Sequence, residues 1–350
     1  MAEIAKLMTV SADDIEKFMA VGAGDITKVM GVELSTAIAW AGGRHIGAGH
    51  KETASMREID YKSSTSGGDT ADWGDLVYGG YWHRGAGTGV DSTKGLVGSR
   101  YGIVSNTDDY DVLTIASLGT IGAGGNLVPD ATQGYGASNG TLMFFMGGQI
   151  SGALTADMDY ITIASLGDSA DAGDIAGNQR KQGGFTSGDT RGGIFGGTTG
   201  NQSSGYIAYA TNSVDYIAFH TSNNSADFGD LYTKNYYSSA CASKTVWVHK
   251  SGGDYTDAGG HTHLTRMDFW AADTGGTAGN FGDIASVGRS TASMADGTRG
   301  EFWGGLNTSN AAIDSILYIT IASEGDATDA GNLYGGVDRL DHGGFSGAAS

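Results

Sequence analysis

Short runs in which apolar and polar residues alternate recur along most of the chain. The clearest covers residues 159–165, with relatives at 111–117, 215–220 and 318–323 and weaker copies at 59–61 and 268–270. Alternation of β-branched and aromatic residues over this length predicts β-strands. A second strand-like run precedes each of them and ends in a glycine pair. These second runs cover residues 36–43, 141–148, 190–197, 245–253 and 298–305, and the copy at 93–98 has lost its second glycine.

A short motif with the order Asp or Asn, any residue, Gly, Asp or Asn, Leu or Ile follows each of the alternating runs. It occurs six times, once in degenerate form, with central glycines at Gly74, Gly125, Gly173, Gly229, Gly282 and Gly331. We interpret it as a turn in which the Asp side chain caps its own backbone. Successive central glycines lie 48 to 56 residues apart. A period near fifty residues is typical of a propeller blade.

The ends of the chain are out of phase with this repeat. A glycine-pair strand at 36–43 has no repeat before it, and the last repeat stops near Gly343–Ser346 without such a strand after it. The two fragments complete one blade, and an open array would leave unpaired strand edges. We therefore predict six blades of four antiparallel strands, closed by pairing of the C-terminal strand with the strand at 36–43.

The repeats resemble those of kelch-type β-propellers. The family order of an Arg, a strand, a Gly-Gly pair, a strand carrying Tyr and a final turn is matched by Arg289, Gly304-Gly305, Tyr318 and residues 331–333. The sequence of residues 159–165 followed by an Asp/Gly turn also resembles repeats in tail and fibre proteins of bacteriophages, especially marine ones. These resemblances imply an all-β fold, a six-bladed kelch-like β-propeller over residues 36–350. They also imply a place in a virion, on the tail or capsid surface, and extracellular release after lysis.

Charge and cysteine content exclude several classes of protein. The net charge is −19, and only 20 Lys and Arg are spread over 350 residues without a basic run, which disfavours nucleic acid as a partner. Cys241 is the single cysteine, so neither a disulfide framework nor a multi-cysteine metal site is available. No apolar run is long enough for a membrane span, and we find no secretory signal pattern.

Residues 1–35 follow a different pattern, an eleven-residue repeat. Residues 4–10 recur as 15–21 and 26–32, with apolar positions at the spacing of one helix face. The pattern predicts a short helical N-terminal arm, either several helices joined by turns or one continuous helix that supercoils right-handedly. The apolar stripe consists of Ile4, Leu7, Met8, Ile15, Phe18, Met19, Ile26, Val29 and Met30. It needs a partner surface, which is either the protein's own propeller or, in the interpretation we favour, other virion proteins contacted through residues 1–32.

Catalytic and metal-binding patterns are weak in this sequence. The Asp/Gly motifs resemble the Asp-box turn of sialidases, but that turn is structural, and a sialidase also needs three arginines, a Tyr nucleophile and a Glu partner. Beyond residue 60 the only glutamates are Glu301 and Glu324. The arginines at 180, 289 and 339 occupy matching repeat positions, which indicates a role in blade structure. Copper chemistry like that of galactose oxidase needs a Cys–Tyr cofactor, and no Tyr pairs with Cys241. We therefore expect no catalytic residue, no cofactor and no metal ligand.

Two functional hypotheses of different class remain. The first is a non-enzymatic virion structural protein that serves as a tail or fibre adhesion or decoration module. The alternative is a glycan-binding or glycan-hydrolysing, sialidase-like propeller, in which loop aromatics such as Tyr236 and Tyr237 stack on sugars of a host surface. The segments that depart from the repeat are 78–91, 201–212 and 252–263, and recognition residues are expected there. The candidates are Tyr78, Tyr81, Trp82, Tyr206, Tyr255, His261 and His263. The sequence leaves homo-oligomerisation open.

Overall fold

A computed structural model of the chain describes residues 28–29, 32–33, 43–49, 57–77, 94–98, 108–115, 119–128, 131, 134–176, 183–187, 190–199, 210–219, 224–256, 260–285, 288–336 and 343–346. The chain divides into two units, Met1–Ala41 and Gly42–Ser350. The second unit is an all-β propeller of six blades, so the predicted number of blades is confirmed.

Each blade is an antiparallel sheet whose strands follow one another outward from the axis. First strands of neighbouring blades contact one another. The first strands are Tyr135–Ser138, Gly184–Ser187, Ser239–Ala242, Ala292–Ala295 and Gly343–Ser346. The second strands are Arg44–Ala48, Lys94–Val97, Leu142–Met146, Arg191–Phe195, Val246–Lys250 and Arg299–Trp303. In blade 2 the structure describes only the second, third and fourth strands.

The outer half of each blade contains the alternating runs and the glycine motifs. The third strands are Glu58–Ser63, Asp109–Thr114, Asp157–Thr162, Thr211–Ala218, Arg266–Ala271 and Ser315–Thr320. The fourth strands are Ala71–Asp75, Gly119–Asn126, Ala170–Asp174, Ala226–Asn235, Gly279–Asp283 and Thr328–Asn332. The remaining elements are two hairpins, Gln149–Ile150 with Ala153–Leu154 and Gly253–Thr256 with Gly260–His263, the short strand Gly276–Thr277, and a 3₁₀ turn at Tyr334–Gly336.

The ring closes through blade 1, as predicted, but with a different strand. The C-terminal Gly343–Ser346 pairs with Arg44–Ala48, in the register Ile46 opposite Phe345. The pairing predicted for residues 36–43 is therefore wrong. Arg44 begins its strand as Arg191 and Arg299 begin theirs, and the glycine that follows the strand is Gly49.

The glycine motifs lie in the fourth strands, so their assignment as separate turns is wrong. The central glycines have positive φ, for example 133° at Gly331, and the register of the third and fourth strands shifts beside them. Such a shift is a β-bulge, which accommodates one extra residue in one strand. A Cβ atom at Gly125 would lie 2.6 Å from the backbone of Gly167 in the next blade, so only glycine fits there.

Apolar cores fill the spaces between neighbouring sheets. Between blades 4 and 5, for example, Phe195, Phe228 and Trp247 are buried, and the rings of Phe228 and Trp247 are 4.7 Å apart. Burial of one such side chain contributes roughly 1.5–3 kcal/mol. The stability of the ring is thus distributed over all of its blade interfaces.

The first unit is described only at Lys28–Val29 and Val32–Glu33, which form an antiparallel pair. Val29, predicted to lie in a helix, is therefore in a strand, and the predicted helical arm is not supported. The other members of the apolar stripe, Ile4, Leu7, Met8, Ile15, Phe18, Met19, Ile26 and Met30, lie outside the described residues.

Candidate functional site

The antiparallel order of the strands gives the propeller two different ends. Connections that follow the first and third strands leave each blade at one end, which we call the clamp end. Connections that follow the second and fourth strands leave at the opposite end, which we call the loop end. The non-repeated segments 201–212 and 252–263 lie between second and third strands, at the loop end. Segment 78–91 follows a fourth strand and lies outside the described residues.

The acidic residues of the repeated motif cap their own backbone, as the sequence predicts. Asp72 Oδ1 accepts a hydrogen bond from the Gly74 amide at 2.9 Å, and Asp171 and Asp329 cap the equivalent glycines at 2.7 and 2.8 Å. These carboxylates stabilise the bulges. This capping role explains why the carboxylates recur from blade to blade.

At the clamp end a second acidic or amide side chain joins a blade to its neighbour at four described interfaces. Asp168 Oδ1 accepts a hydrogen bond from the backbone N–H of Asn126, and Asp326 Oδ1 accepts one from the backbone N–H of Asp283. Between blades 6 and 1, Asp69 Oδ1 accepts from the Asn332 amide at 2.9 Å. The clamp end thus uses its repeated polar groups to hold the blades together.

Glu301 is the centre of a buried ionic cluster between blades 6 and 1. Its Oε1 accepts from Arg299 Nε at 2.8 Å and Lys62 Nζ at 3.2 Å. Its Oε2 accepts from Trp303 Nε1 at 2.9 Å and lies 3.0 Å from His45 Nδ1. Burial alone raises the pKa of this carboxyl, but the His45, Lys62 and Trp303 interactions outweigh it and lower the pKa to about 2. With these donors, the Glu301 carboxylate is a structural anion at the interface between blades 6 and 1.

Cys241 lies in the first strand of blade 5 and is buried. Burial raises the pKa of its thiol far above the usual range, which makes it a poor nucleophile and a poor ligand. Within the part of the chain that the structure describes, no three His, Cys, Asp or Glu side chains are grouped so that they could hold a metal ion.

The predicted ligand residues of blade 5 lie in a hairpin at the loop end. The backbone of Tyr255 pairs with that of His261, and Gly253 pairs with His263. The His263 ring packs against Gly288, where a Cβ atom would approach its Nδ1 to 2.5 Å. The other candidates, Tyr78, Tyr81, Trp82 and Tyr206, lie outside the described residues.

The loop end also carries a polar and aromatic cluster, the Arg289 cluster, formed by Tyr236, Tyr237, Arg289 and Asn310. The Arg289 guanidinium lies over the Tyr237 ring, 5.4 Å from its centroid. Its Nη1 donates to Tyr236 Oη at 3.4 Å, and its Nη2 donates to Asn310 Oδ1 at 3.2 Å. The members come from three connections, namely those between blades 4 and 5, between blades 5 and 6, and within blade 6.

The sequence pattern pointed to only half of this cluster. Tyr236 and Tyr237 were expected as sugar-stacking residues, whereas Arg289 was assigned to blade structure and Asn310 was missed. The backbone of Arg289 does bridge that of Leu306, but its side chain is directed to the cluster. An available signal was the Asn307–Asn310 stretch, since Asn tolerates the left-handed conformation that Asn310 adopts, with φ of 61°.

Exposed large apolar side chains recur at one position of the repeat. Each follows the Leu that ends a glycine motif, and the four in the described part of the chain are Val77, Val128, Tyr232 and Tyr334. Tyr232 is 66% exposed, and the Arg266 guanidinium lies 4.2 Å from its ring centroid.

Comparison with models of known protein families finds no match, and comparison with curated protein sequences finds no relative. Among the described residues there is no helix with the length and apolarity needed to span a bilayer.

Proposed function

We propose that the protein is a non-enzymatic adhesion module of a bacteriophage virion, which presents the loop end of its propeller to a saccharide on the host surface. The observation that carries the proposal is the different use of the two ends. Repeated polar groups at the clamp end are engaged in caps and blade contacts. Non-repeated segments and the Arg289 cluster are at the loop end. Variable loops on a rigid scaffold are the usual location of recognition.

The virion part of the proposal comes from the sequence. The repeats resemble those of kelch-type propellers, and those of blade 3 resemble repeats in phage tail and fibre proteins. A strongly acidic, glycine-rich chain with one cysteine suits such a particle protein. In this proposal the protein joins the tail or capsid surface and becomes extracellular after lysis.

The absence of enzymatic activity is proposed from the positions of the carboxylates. Glycoside hydrolysis needs two carboxyl groups on opposite sides of the scissile bond. Glu301 is fully buried and bound by its donors, and Glu324 is exposed in a third-to-fourth-strand connection at the clamp end. Asp72, Asp171 and Asp329 of the glycine motifs serve as caps. Because these carboxylates are accounted for in this way, recognition is the function that the loop end supports best.

A panel of saccharides tests both halves of the proposal. Full-length protein is applied to an array of host-type glycans, and the same sugars are assayed for release of products by sialidase and glycosidase activity. We expect binding without turnover. Hydrolysis of any sugar that disappears when one carboxylate is changed to its amide would contradict the proposal and favour the sialidase-like alternative.

Attachment to the particle is proposed to run through residues 1–32. The stripe of nine apolar residues from Ile4 to Met30 is too apolar for a solvated tail, and several buried side chains at roughly 1.5–3 kcal/mol each offset the cost of association. Deletion of residues 1–32 lies within the first unit and leaves Gly42–Ser350 complete. We expect the deleted protein to fold and to be missing from purified particles, as measured by mass spectrometry. Its incorporation at the normal copy number would contradict attachment through this segment.

A further inference from the structure

Arg289 differs from the ion-paired arginines of the propeller in the partners of its guanidinium. The guanidinium interacts with two neutral oxygens and one aromatic ring, and it forms no ion pair with the residues that the structure describes. Arg266 and Arg299, by contrast, pair with Asp268 and Glu301. Among the described residues Arg191 also has no carboxylate partner, but its Nη1 donates to the Asp273 carbonyl and it begins a strand at the clamp end.

The guanidinium is held in place and still has donors to offer. The Tyr237 ring fixes its plane by a cation–π contact, and Tyr236 and Asn310 each take one N–H group. Nε is buried and has no acceptor among the described residues, so the donors left for a ligand are the second N–H groups of Nη1 and Nη2. A guanidinium has five N–H donors in a rigid fork, a geometry that matches the two oxygens of a carboxylate.

The backbone around Arg289 is strained at three positions. Tyr237, Ser290 and Asn310 have φ of 54°, 64° and 61°, and they are three of the five non-glycine residues with positive φ in the described chain. Hydrogen bonds keep them so, because the Ser290 amide donates to Tyr237 O at 3.0 Å and the Asn310 amide donates to Asn307 O at 2.9 Å. Strain of this kind persists where the surroundings over-determine it, and it clusters at ligand sites.

Predicted ligand residues border the cluster. His263 packs against Gly288, the residue before Arg289, and the Tyr236 ring approaches Gly253 in the hairpin that carries Tyr255 and His261. The buried Lys250 donates from Nζ to the Gly288 carbonyl and fixes the backbone there. The cluster therefore lies at the junction of three loop-end connections, with polar neighbours on its hairpin side.

We propose that the Arg289 cluster binds the carboxylate of an acidic saccharide, with Arg289 as the carboxylate-binding residue and Asn310 as a second polar contact. The inference rests on the proposed function and names the class of ligand. Sialic acids and hexuronic acids are the two sources of a sugar carboxylate. The negative charge of the protein disfavours densely sulfated polymers, because the electrostatic repulsion of a ligand grows with the number of its negative charges. A sugar with a single carboxylate is repelled much less.

The experiment measures the affinity of full-length protein for matched sugars by calorimetry. The probes are sialyllactose against lactose, a hexuronic-acid-terminated oligosaccharide against its neutral hexose counterpart, and a sulfated disaccharide. We expect at least one carboxylate-bearing sugar to bind and its neutral partner to bind about tenfold more weakly or not at all. Arg289→Gln should lose that preference, and Arg289→Lys should retain only part of it, because an ammonium cannot donate bidentately.

Arg191→Gln is the matched control. Arg191 also lies over a tyrosine ring, 4.6 Å from the centroid of Tyr216, but it begins a second strand at the clamp end. The Arg191→Gln protein should bind the acidic sugar with the affinity of the unchanged protein. The melting temperatures of all variants establish that they fold. Equal affinity for acidic and neutral sugars, or a sialic or hexuronic acid preference that survives Arg289→Gln, would overturn this inference and leave the adhesion proposal standing. Binding of the sulfated sugar alone would overturn the carboxylate assignment, and binding of no saccharide would overturn both proposals.

Discussion

A chain lacking residues 340–350 is expected to lose the cooperative unfolding transition of the intact protein, or to melt far below it. The deletion removes Gly343–Ser346, the first strand of blade 1, and leaves Arg44–Ala48 as an unpaired edge. It also removes Phe345, which is buried and lies against Gly95 of blade 2. Loss of a buried Phe alone costs about 3–5 kcal/mol, and an exposed strand edge favours aggregation.

Calorimetry and size-exclusion chromatography measure this effect. A chain lacking only residues 348–350, which follow the closing strand, serves as the control and should unfold like the intact protein. An unchanged melting temperature after deletion of residues 340–350 would show that the ring does not close through this strand.

Glu301→Gln is expected to lower the free energy of unfolding by about 3–5 kcal/mol, because the amide leaves the buried Lys62 and the partly buried Arg299 without their anion. Glu324→Gln is the matched control. Glu324 is exposed, so its replacement should change stability by no more than about 0.5 kcal/mol. Urea unfolding followed by tryptophan fluorescence measures both variants.

The pH dependence of this difference identifies its electrostatic origin. The pKa of Glu301 is lowered to about 2 in the folded protein, against about 4.3 for an unfolded glutamate. The unfolded state therefore binds more protons between these values, so the stabilisation is complete above about pH 4.3 and is lost as the pH falls toward 2. The stability difference between the unchanged protein and Glu301→Gln should shrink over this window. A difference that stays constant down to pH 2 would contradict the ionic account.

The repeat made the architecture predictable, but local sequence patterns gave wrong predictions for the glycine motif and for the closing strand. A period near fifty residues and out-of-phase ends are enough to predict six blades and closure through blade 1. The glycine motif was assigned to a turn because Asp capping and a positive-φ glycine are turn chemistry, and the same chemistry forms a bulge inside a strand. The closing strand was placed at 36–43 because Gly42-Gly43 resembles the pairs that end other second strands. The register is decided instead by long-range pairing of Ile46 with Phe345.

The N-terminal segment illustrates a different limit of sequence patterns. Apolar spacing predicted helix through Val29, but Lys28–Val29 pairs with Val32–Glu33 across two intervening residues. Val at positions 29 and 32 has a high strand propensity, and Gly31 between them disfavours a helix. Helical spacing over so short a repeat does not outweigh these local preferences.

Neither polar cluster could be predicted from spacing along the chain. Lys62 and Glu301 are 239 residues apart, and they meet only because the ring brings blade 6 against blade 1. Arg289 contacts Tyr236 across 53 residues and Asn310 across 21, through connections of different blades. The sequence indicated Tyr236, Tyr237 and segment 252–263. The topology brought Arg289 into contact with the two tyrosines and its neighbour Gly288 against His263.

The central claim is that recognition takes place at the loop end of the propeller. Hydrogen–deuterium exchange of the full-length chain, with and without a saturating saccharide found on the array, tests it most directly. We expect protection in the connections after second and fourth strands, including residues 236–237, 253–263 and 306–310, with unchanged exchange in the clamp-end segments 166–170 and 322–328. Protection confined to the clamp-end segments would contradict the account.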